Sequence, residues 1–211
     1  MKCQTVIAGI GGQGVLFASK VLTETALRKN LRVLGSQTFG MAQRGGSVMT
    51  HLKIGEFASP MVCEGDADLL LALDCVEAQR TLPYLRSANN GTGAMCVVNA
   101  PREKAFTDQR VADLLGEMGV TVHVCNADAV ALQMGNALVA NLVLLGFGSS
   151  QDGFPFTYAE VCGATDALSS QTNRKPNLEA LERGRALCSG TLPNRVMEKT
   201  LTLREEDLAN P

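Results

Sequence analysis

The stretch GIGGQG at residues 9–14 carries residue types that could hold a phosphate group. Its glycines satisfy the spacing GxGxxG, which allows a tight turn and lets an anion approach the backbone amides. A β-branched apolar run precedes it at residues 3–9, and apolar residues at helical spacing follow over residues 14–29. Because amides at a helix N-terminus attract anions, we predict a phosphate or nucleotide contact here; a tight turn without a ligand is the alternative. The loop residues are Gly11, Gly12, Gln13 and Gly14.

The second predicted strand lacks the acidic residue that a dinucleotide-binding fold would use. Such folds place an Asp or Glu about twenty positions after the glycine loop, where it binds the ribose hydroxyls. Here the strand RVLGS (32–36) continues into QTFG with no acidic residue. An NAD-dependent dehydrogenase is therefore disfavoured.

A second glycine-containing segment, TFGMAQRGGSV (38–48), carries the cation Arg44 beside Gly45 and Gly46. A guanidinium offers five N–H donors in a plane, and glycines leave backbone amides accessible. This combination suits a phosphate, a carboxylate or a partner chain. The alternative is a glycine turn whose Arg44 pairs with a remote acidic side chain.

Two further side chains could contribute to an anion site. Lys20 lies six residues after Gly14, which is roughly 9 Å along a helix that rises about 1.5 Å per residue. Its flexible side chain could reach back toward a phosphate bound at the glycine loop. The alternative is that Lys20 lies on a solvated face of the helix. His51 could donate to an anion or titrate near neutrality, and a hydrogen-bonded strand histidine is the alternative. Neither His51 nor His123 has a neighbouring nucleophile pattern. We predict no catalytic residues in this chain and expect CVEAQR (75–80) to lie on a helix surface.

Composition excludes several classes of function. The net charge of −2 provides no general electrostatic footprint for nucleic acid, and no apolar run is long enough to span a membrane. The N-terminus lacks the features of a secretory signal, so we expect a cytoplasmic protein. The nearest two of the seven cysteines, Cys63 and Cys75, lie twelve positions apart, so we expect reduced thiols and no metal site.

Alternating strand and helix patterns predict an α/β fold: a mainly parallel, Rossmann-like sheet flanked by helices, with a helical C-terminal part. The strand candidates are CQTVIAG (3–9), RVLGS (32–36), SVMTHLKIG (47–55), DLLLALD (68–74), AMCVVNA (94–100) and VTVHVCNA (120–127). The helix candidates are residues 14–29, 75–85, 108–119, 127–148, 157–170 and 176–190. Asp108 is expected to cap the helix that follows it.

The chain divides into one domain, residues 1–190, and a loosely held tail, residues 191–211, that could face a partner. Residues 136–147 are apolar on nearly all sides, so that helix is either central to the core or pressed against another subunit. Within it, Asn136 and Asn141 are expected to be a helix cap and a satisfied buried amide. For the chain on its own, self-association into a homodimer stays an alternative.

Several motifs taken together resemble one known family, the γ component of the 2-oxoacid:ferredoxin (acceptor) oxidoreductases. Within it, the sequence is most similar to the small β subunits of the indolepyruvate enzymes. The likeness covers about the first 190 residues in order. The motifs are GIGGQGVLFASKVL (9–22), SQTFGMAQRGGSVMTHLKIG (36–55), SPMVCEGDADLLLALD (59–74), NALVANLVLLGFG (136–148) and KPNLEALERG (175–184).

The resemblance implies an enzyme subunit whose isolated chain is inactive. In that family a large partner subunit carries thiamine diphosphate and 4Fe–4S clusters and decarboxylates an arylpyruvate. Coenzyme A then receives the acyl group, and ferredoxin takes the electrons through the complex. This chain would bind no cofactor firmly, with coenzyme A as its cosubstrate. A stand-alone nucleotide- or coenzyme A-binding module is the alternative, and the sequence does not select one 2-oxoacid.

The resemblance also implies which residues border a coenzyme A phosphate site or the joint with the catalytic subunit. Related single-chain pyruvate enzymes have a Lys-Ser pair where this chain has Gln43 and Arg44, so the charge is kept at this position. The implied residues are Gly11, Gly12, Gln13, Gly14, Lys20, Arg44, Gly45, Gly46 and His51.

Overall fold

The computed structural model describes residues 1–40, 45–88, 93–101, 105–106 and 108–188. Over these residues strands and helices alternate, and helices dominate after the last strand. The strands are β1 (Cys3–Ile10), β2 (Val33–Phe39), β3 (Ser47–Ile54), β4 (Leu69–Ala72), β5 (Met95–Asn99) and β6 (Thr121–Cys125). The helices are α1 (Val15–Arg28), α2 (Cys75–Thr81), α3 (Gln109–Glu117), α4 (Ala127–Gln133), α5 (Ala140–Gly148), α6 (Tyr158–Leu168) and α7 (Arg174–Cys188). The predicted tail, residues 191–211, lies outside the described residues.

Within the described ranges, the strands form one six-stranded sheet in the order β2-β3-β1-β4-β5-β6. β1 pairs in parallel with β4, β4 with β5, and β5 with β6. β3 runs antiparallel to both β1 and β2. β1, β2, β4, β5 and β6 therefore end at one edge, where β3 begins, and we call it the carboxyl edge.

The predicted α/β class and the mainly parallel sheet are confirmed. β4 is the buried interior strand that its apolar run indicated: all four of its residues are buried between β1 and β5. Asp74 follows it at the carboxyl edge and caps α2, since its carboxylate accepts from the amides of Val76 and Glu77. Asp108 caps α3 as predicted, accepting from the amide of Arg110.

The core is divided by the sheet into two layers. Alternate residues of a strand point to opposite faces. Ile7 and Leu71 therefore pack with α1, α5 and α7 on one face. Val6 and Leu70 pack with α2 and α3 on the other face.

One predicted helix is interrupted. Residues 127–148 were expected to be helical throughout, but α4 ends before Gly135, whose φ is +70°. A short 3-10 turn (Ala137–Val139) follows, and the side chain of Asn136 accepts from the amide of Leu138 at 3.1 Å. Because glycine adopts a positive φ without steric cost, the chain turns here and α5 starts in a new direction.

The apolar helix α5 lies in the core of this chain. Eight of its residues, from Asn141 to Gly148, are buried, and its neighbour is α7. The backbones approach closely, since a Cβ added to Gly146 would lie 2.1 Å from the carbonyl oxygen of Leu181. Packing within this chain therefore accounts for the apolar character of α5. A contact with another subunit, which had suggested a homodimer, is not needed to explain it. Among the described helices, none combines the length and apolar character required to cross a membrane.

Candidate functional site

A cleft of about 680 Å³ opens at the carboxyl edge, between the loop after β1 and the connection from β2 to β3. Its described lining is apolar or glycine apart from one serine, and it includes no charged side chain. The lining residues are Ile10, Gly11, Gly12, Gly14, Val15, Leu16, Phe39, Gly40, Ser47 and Val48. The polar contacts that the described lining offers therefore come largely from the backbone.

The loop after β1 leaves the N-terminus of α1 open to the cleft. Gly14 precedes α1 in the left-handed conformation with φ +82°, and no side chain caps the helix. Among the described residues, no acceptor bonds the amides of Gly12, Gly14, Val15 or Leu16. The N–H groups of Gly14, Val15 and Leu16 form the positive end of a 14-residue helix, and that of Gly12 lies in the loop just before it, so together they can bind an anion.

Two side-chain amides hold this loop in shape. Gln13 accepts from the amide of Ile10 through its Oε1 at 2.8 Å, which closes the turn. Asn141, from α5, donates through Nδ2 to the carbonyl of Gly14 at 3.1 Å. Any Cβ at Gly14 would lie 2.3 Å from that same Nδ2. Gln13 is thus engaged within the loop, and Asn141 is a positioning residue for the start of α1.

The two glycine bends identified in the sequence meet at this edge. Gly11 donates its amide to the carbonyl of Gly46 at 2.8 Å, and Ile10 is in register with Ser47. Gly45 has φ +73°, and no described atom lies within 4 Å of a built Cβ at this position. Arg44, the cation predicted beside it, lies outside the described residues, as does Gln43.

Lys20 lies beside the cleft and not in its lining. It is exposed on α1, four residues and about one turn beyond Leu16, so both occupy the same face of the helix. Together with Leu16 it lines a separate groove over β2 and β3. The cleft and Lys20 are therefore adjacent along one helix face.

The structure does not bring His51 to the cleft. Its strand position pairs with Val6, and it faces the layer of the core opposite to α1. The side chain is fully buried, and its Nδ1 accepts from the amide of Val62 at 3.3 Å. Burial, and then the positive charge of Lys53, lower its pKa. His51 is thus a strand histidine with a hydrogen bond, as the alternative interpretation of the sequence expected.

A buried carboxylate next to the cleft was not predicted from the sequence. Glu77 was expected on a helix surface, but it is only 4% exposed. Its carboxylate accepts from the Ser47 hydroxyl at 2.5 Å and from Arg80 Nη1 at 2.7 Å. Since Ser47 lines the cleft, this contact ties α2 to the start of β3 and fixes one wall of the site.

A second unpredicted pair joins Asn99, the last residue of β5, to Asp128 in the first turn of α4, shortly after β6. Asn99 Nδ2 donates to Asp128 Oδ2 at 2.9 Å and to the carbonyl of Leu73 at 3.0 Å. Its Oδ1 accepts from the amide of Ala127 at 2.8 Å. Asn99 therefore links the chain segments that follow β4, β5 and β6 at the carboxyl edge.

The cysteines that the structure describes are free thiols, and several belong to the core. Burial raises the pKa of Cys3 to about 11 and that of Cys96 to about 12, so both stay protonated near neutral pH. Among the described residues, no group of three or more His, Cys, Asp or Glu side chains could hold a metal ion.

Comparison with known proteins gives one consistent result. Residues 4–187 match the family described as pyruvate ferredoxin/flavodoxin oxidoreductase. The indolepyruvate oxidoreductase subunit IorB of Methanothermobacter thermautotrophicus is 35% identical over 161 residues, 74% of this chain and 82% of the relative. The subunit of the same name from Archaeoglobus fulgidus is 34% identical over 194 residues, 87% of this chain and 94% of the relative.

A solved structure shares the fold at low sequence identity. It is the 2-oxoglutarate:ferredoxin oxidoreductase from Magnetococcus marinus with 2-oxoglutarate, coenzyme A and succinyl-CoA bound. The match has a TM-score of 0.67 and 18% identity, and it covers 92% of this chain but 32% of that chain. The fold found here thus occurs as one part of a larger polypeptide.

Proposed function

The chain belongs to the pyruvate ferredoxin/flavodoxin oxidoreductase family, and we propose that it is the small subunit of an indolepyruvate-type 2-oxoacid ferredoxin oxidoreductase. The complex would convert a 2-oxoacid to acyl-CoA, CO2 and reduced ferredoxin. Thiamine diphosphate and the 4Fe–4S clusters would reside on a larger catalytic subunit, in the cytoplasm. The relatives named as subunits support a role within an enzyme complex.

We propose further that the cleft holds phosphate groups of coenzyme A. The observation that carries this proposal is the meeting of the two glycine bends over the open N-terminus of α1. There the amides of Gly12, Gly14, Val15 and Leu16 are available. The carboxylate of Glu77, behind the lining residue Ser47, is paired with Arg80. The oxidoreductase from Magnetococcus marinus, which contains this fold as one part of its chain, has coenzyme A bound, and this supports the proposal as well.

Arg44 would complete the electrostatics of this site as the predicted cation next to Gly45. Lys20 could add a second positive charge, because its flexible stem starts one turn from the lining residue Leu16. The stand-alone coenzyme A-binding module is not favoured, because the curated relatives are named as subunits of oxidoreductases.

The proposal is tested by placing a carboxylate in the cleft. Gly12 has φ +106°, which strains any side chain, but no described atom lies within 4 Å of a built Cβ, so the carboxylate of a Gly12→Asp variant meets no steric clash there. In the complex co-expressed with the large subunit, we expect this variant to raise the KM for coenzyme A at least about tenfold, which corresponds to about 1.4 kcal/mol of binding energy. The assay follows dye reduction that depends on arylpyruvate and coenzyme A.

Gly65 supplies a matched control. It also has a positive φ, +79°, and open space at a built Cβ, but it is not part of the cleft lining. The Gly65→Asp variant should keep the KM of the unmodified complex. An unchanged KM in the Gly12→Asp variant would contradict the proposed phosphate site, and absence of 2-oxoacid-dependent reduction in the unmodified complex would contradict the proposed activity.

A further inference from the structure

The outer side of β2 is an unpaired edge of the sheet. β2 is the last strand in the order, and of the described residues only those of β3 pair with it. Four of its seven residues are exposed, against one of five in β6 at the opposite edge. Proteins usually protect exposed edges from pairing with another chain by charged residues, prolines or bulges. The sequence VLGSQTF of β2 contains no charge and no proline, and its pairing with β3 continues without a bulge.

The pairing with β3 determines which backbone groups of β2 face outward. Just beyond the end of β2, Gly40 donates its amide to the carbonyl of Ser47. Because hydrogen-bonded positions alternate in an antiparallel pair, every second residue counted back from Gly40 bonds to β3. The bond from the amide of Gly55 to the carbonyl of Arg32 agrees with this alternation. The amides and carbonyls of the intervening residues therefore point away from the sheet, and these residues are Val33, Gly35, Gln37 and Phe39.

Apolar surface lies beside these outward-facing groups. Gly35 is opposite Leu52, which belongs to the layer of the core that contains α1, so the same four residues share that face of the sheet. Between β2 and α1 lies the groove of about 420 Å³ that Lys20 also lines. Leu27, which lines one end of this groove, is 53% exposed, and Phe39 at the end of β2 is 60% exposed. The edge of the sheet thus offers both unpaired backbone groups and exposed apolar side chains.

We propose that two copies of this chain join at β2, which pairs in antiparallel direction with β2 of the second copy. A two-fold axis relates the two strands, so each copy makes the same contacts. The register centred on Ser36 engages all four outward-facing residues. Val33 then lies opposite Phe39 of the second copy. Gly35 lies opposite Gln37 in the same way, and the two six-stranded sheets become one continuous sheet.

This surface is complementary to itself, which favours a second copy as its occupant. A β-branched residue opposite an aromatic residue is a stabilising cross-strand pair, and the two-fold axis produces the pair of Val33 and Phe39 twice. Lys20 and Glu24 line the groove one helical turn apart, and Glu24 also accepts from Arg28 at 2.9 Å. Because the two copies of α1 run in opposite directions, Lys20 of each copy lies on the same side of the axis as Glu24 of the other. The charges that flank the joint are thus complementary.

The first test removes one outward-facing amide. The oligomeric state of the full chain is measured by sedimentation equilibrium, and we expect the mass of two chains. Proline has no N–H, so the Gln37→Pro variant loses two hydrogen bonds per dimer, while the bonds from β2 to β3 remain. The dissociation constant of the dimer should therefore rise at least about tenfold. The Gln37→Ala variant keeps the amide and should dimerise like the unmodified chain.

The second test determines the register. At Ser36 the proposed pairing places the two backbones in a pair without hydrogen bonds, with Cα atoms about 4.5 Å apart, which is close enough for a disulfide. Under mild oxidation, the Ser36→Cys variant should form a covalent dimer on a non-reducing gel. Thr38→Cys is the control, since Thr38 lies opposite Leu34 and the two new thiols would be about 13 Å apart along the strands. The unmodified chain gives the background from its native cysteines.

Three results would overturn the inference. A chain that stays monomeric at the highest concentration reached would show that this edge does not bind a second copy. A dimer that Gln37→Pro leaves unchanged would be formed by a different surface. Cross-linking of Thr38→Cys without cross-linking of Ser36→Cys would exclude the proposed register. The proposed function is not affected by any of them, because it is tested by the activity of the complex with the large subunit.

Discussion

His51 illustrates how the position of a side chain in the fold determines its protonation state. Its Nδ1 accepts a hydrogen bond from Val62, so the neutral ring carries its proton on Nε2. The ring of Tyr84 packs against it edge-on, with ring centroids 5.4 Å apart. Burial, followed by the charge of Lys53, lowers the pKa of His51, because the imidazolium would lose its hydration. His51 is therefore a neutral structural group near pH 7.

The lowered pKa predicts a loss of stability on acidification. As the pH falls below about 6.5, the unfolded chain binds a proton at His51 that the folded chain does not bind. The free energy of unfolding then decreases by up to about 1.4 kcal/mol per pH unit for this group, until the pH reaches the folded pKa. Urea unfolding between pH 5 and pH 8 should show a smaller decrease for the His51→Gln variant.

His123 provides a comparison, since burial lowers its pKa as well. The His123→Gln variant should remove its own part of the pH dependence, and the double variant should remove both parts. An identical pH dependence in the unmodified chain and in the His51→Gln variant would contradict the assignment of a buried neutral His51.

The individual contacts of the site could be predicted from the sequence only where they are local. The glycine loop at residues 9–14 signals its own turn, because the residues that form it are adjacent. The contact between Glu77 and Ser47 spans 30 positions, and that between Asn141 and Gly14 spans 127. No local pattern encodes such pairs, although an asparagine in an apolar helix is a signal that a buried partner exists.

At the scale of elements, the existence of most strands and helices followed from periodicity, but their directions did not. The alternating pattern of β3 predicted a strand, yet its antiparallel position between β1 and β2 depends on the whole sheet. The break at Gly135 was missed because apolar residues continue on both sides of it. Capping chemistry was more informative, as Asp108 shows at the start of α3.

The packing of α5 on α7 depends on two glycines. A Cβ added to Gly184 would lie 2.0 Å from the carbonyl oxygen of Val143 and 2.8 Å from the amide nitrogen of Phe147. A Cβ added to Gly146 would meet the backbone of α7 in the same way. Because backbone atoms of a buried helix cannot move aside individually, a methyl group here must displace a whole helix.

We therefore expect the Gly184→Ala variant to lose about 1–3 kcal/mol of unfolding free energy by overpacking. The control is Gly163→Ala in α6, where the nearest atom to a built Cβ is the end of Arg28 at 3.6 Å. Since alanine favours helix over glycine, this control should gain about 0.4–1 kcal/mol. Urea denaturation measures both, and equal effects of the two substitutions would contradict the close packing of α5 on α7.

At the scale of the whole molecule, burial is distributed unevenly between the two sides of the sheet. α5 is covered by α7, α4, α6 and the sheet, and nearly all of its residues are buried. In α3, Leu115 is the one buried residue, and Leu114 is 54% exposed. The amides of the candidate phosphate site belong to the loop after β1. A hydrogen bond from Asn141 connects that loop to α5. The candidate phosphate site is thus attached to the most deeply packed part of the chain.

This distribution predicts the order in which backbone amides exchange with solvent. Helices with few buried contacts open locally at low free energy, whereas core helices exchange only when the molecule unfolds globally. In hydrogen–deuterium exchange read by mass spectrometry, peptides from α3 should exchange well before peptides from α5 and α7. Adding denaturant should speed exchange in α5 more than in α3, because global unfolding exposes far more surface than local opening. Equal protection of α3 and α5 would mean that α3 is covered by a contact outside the described residues, and it would contradict the proposed rank of stabilities.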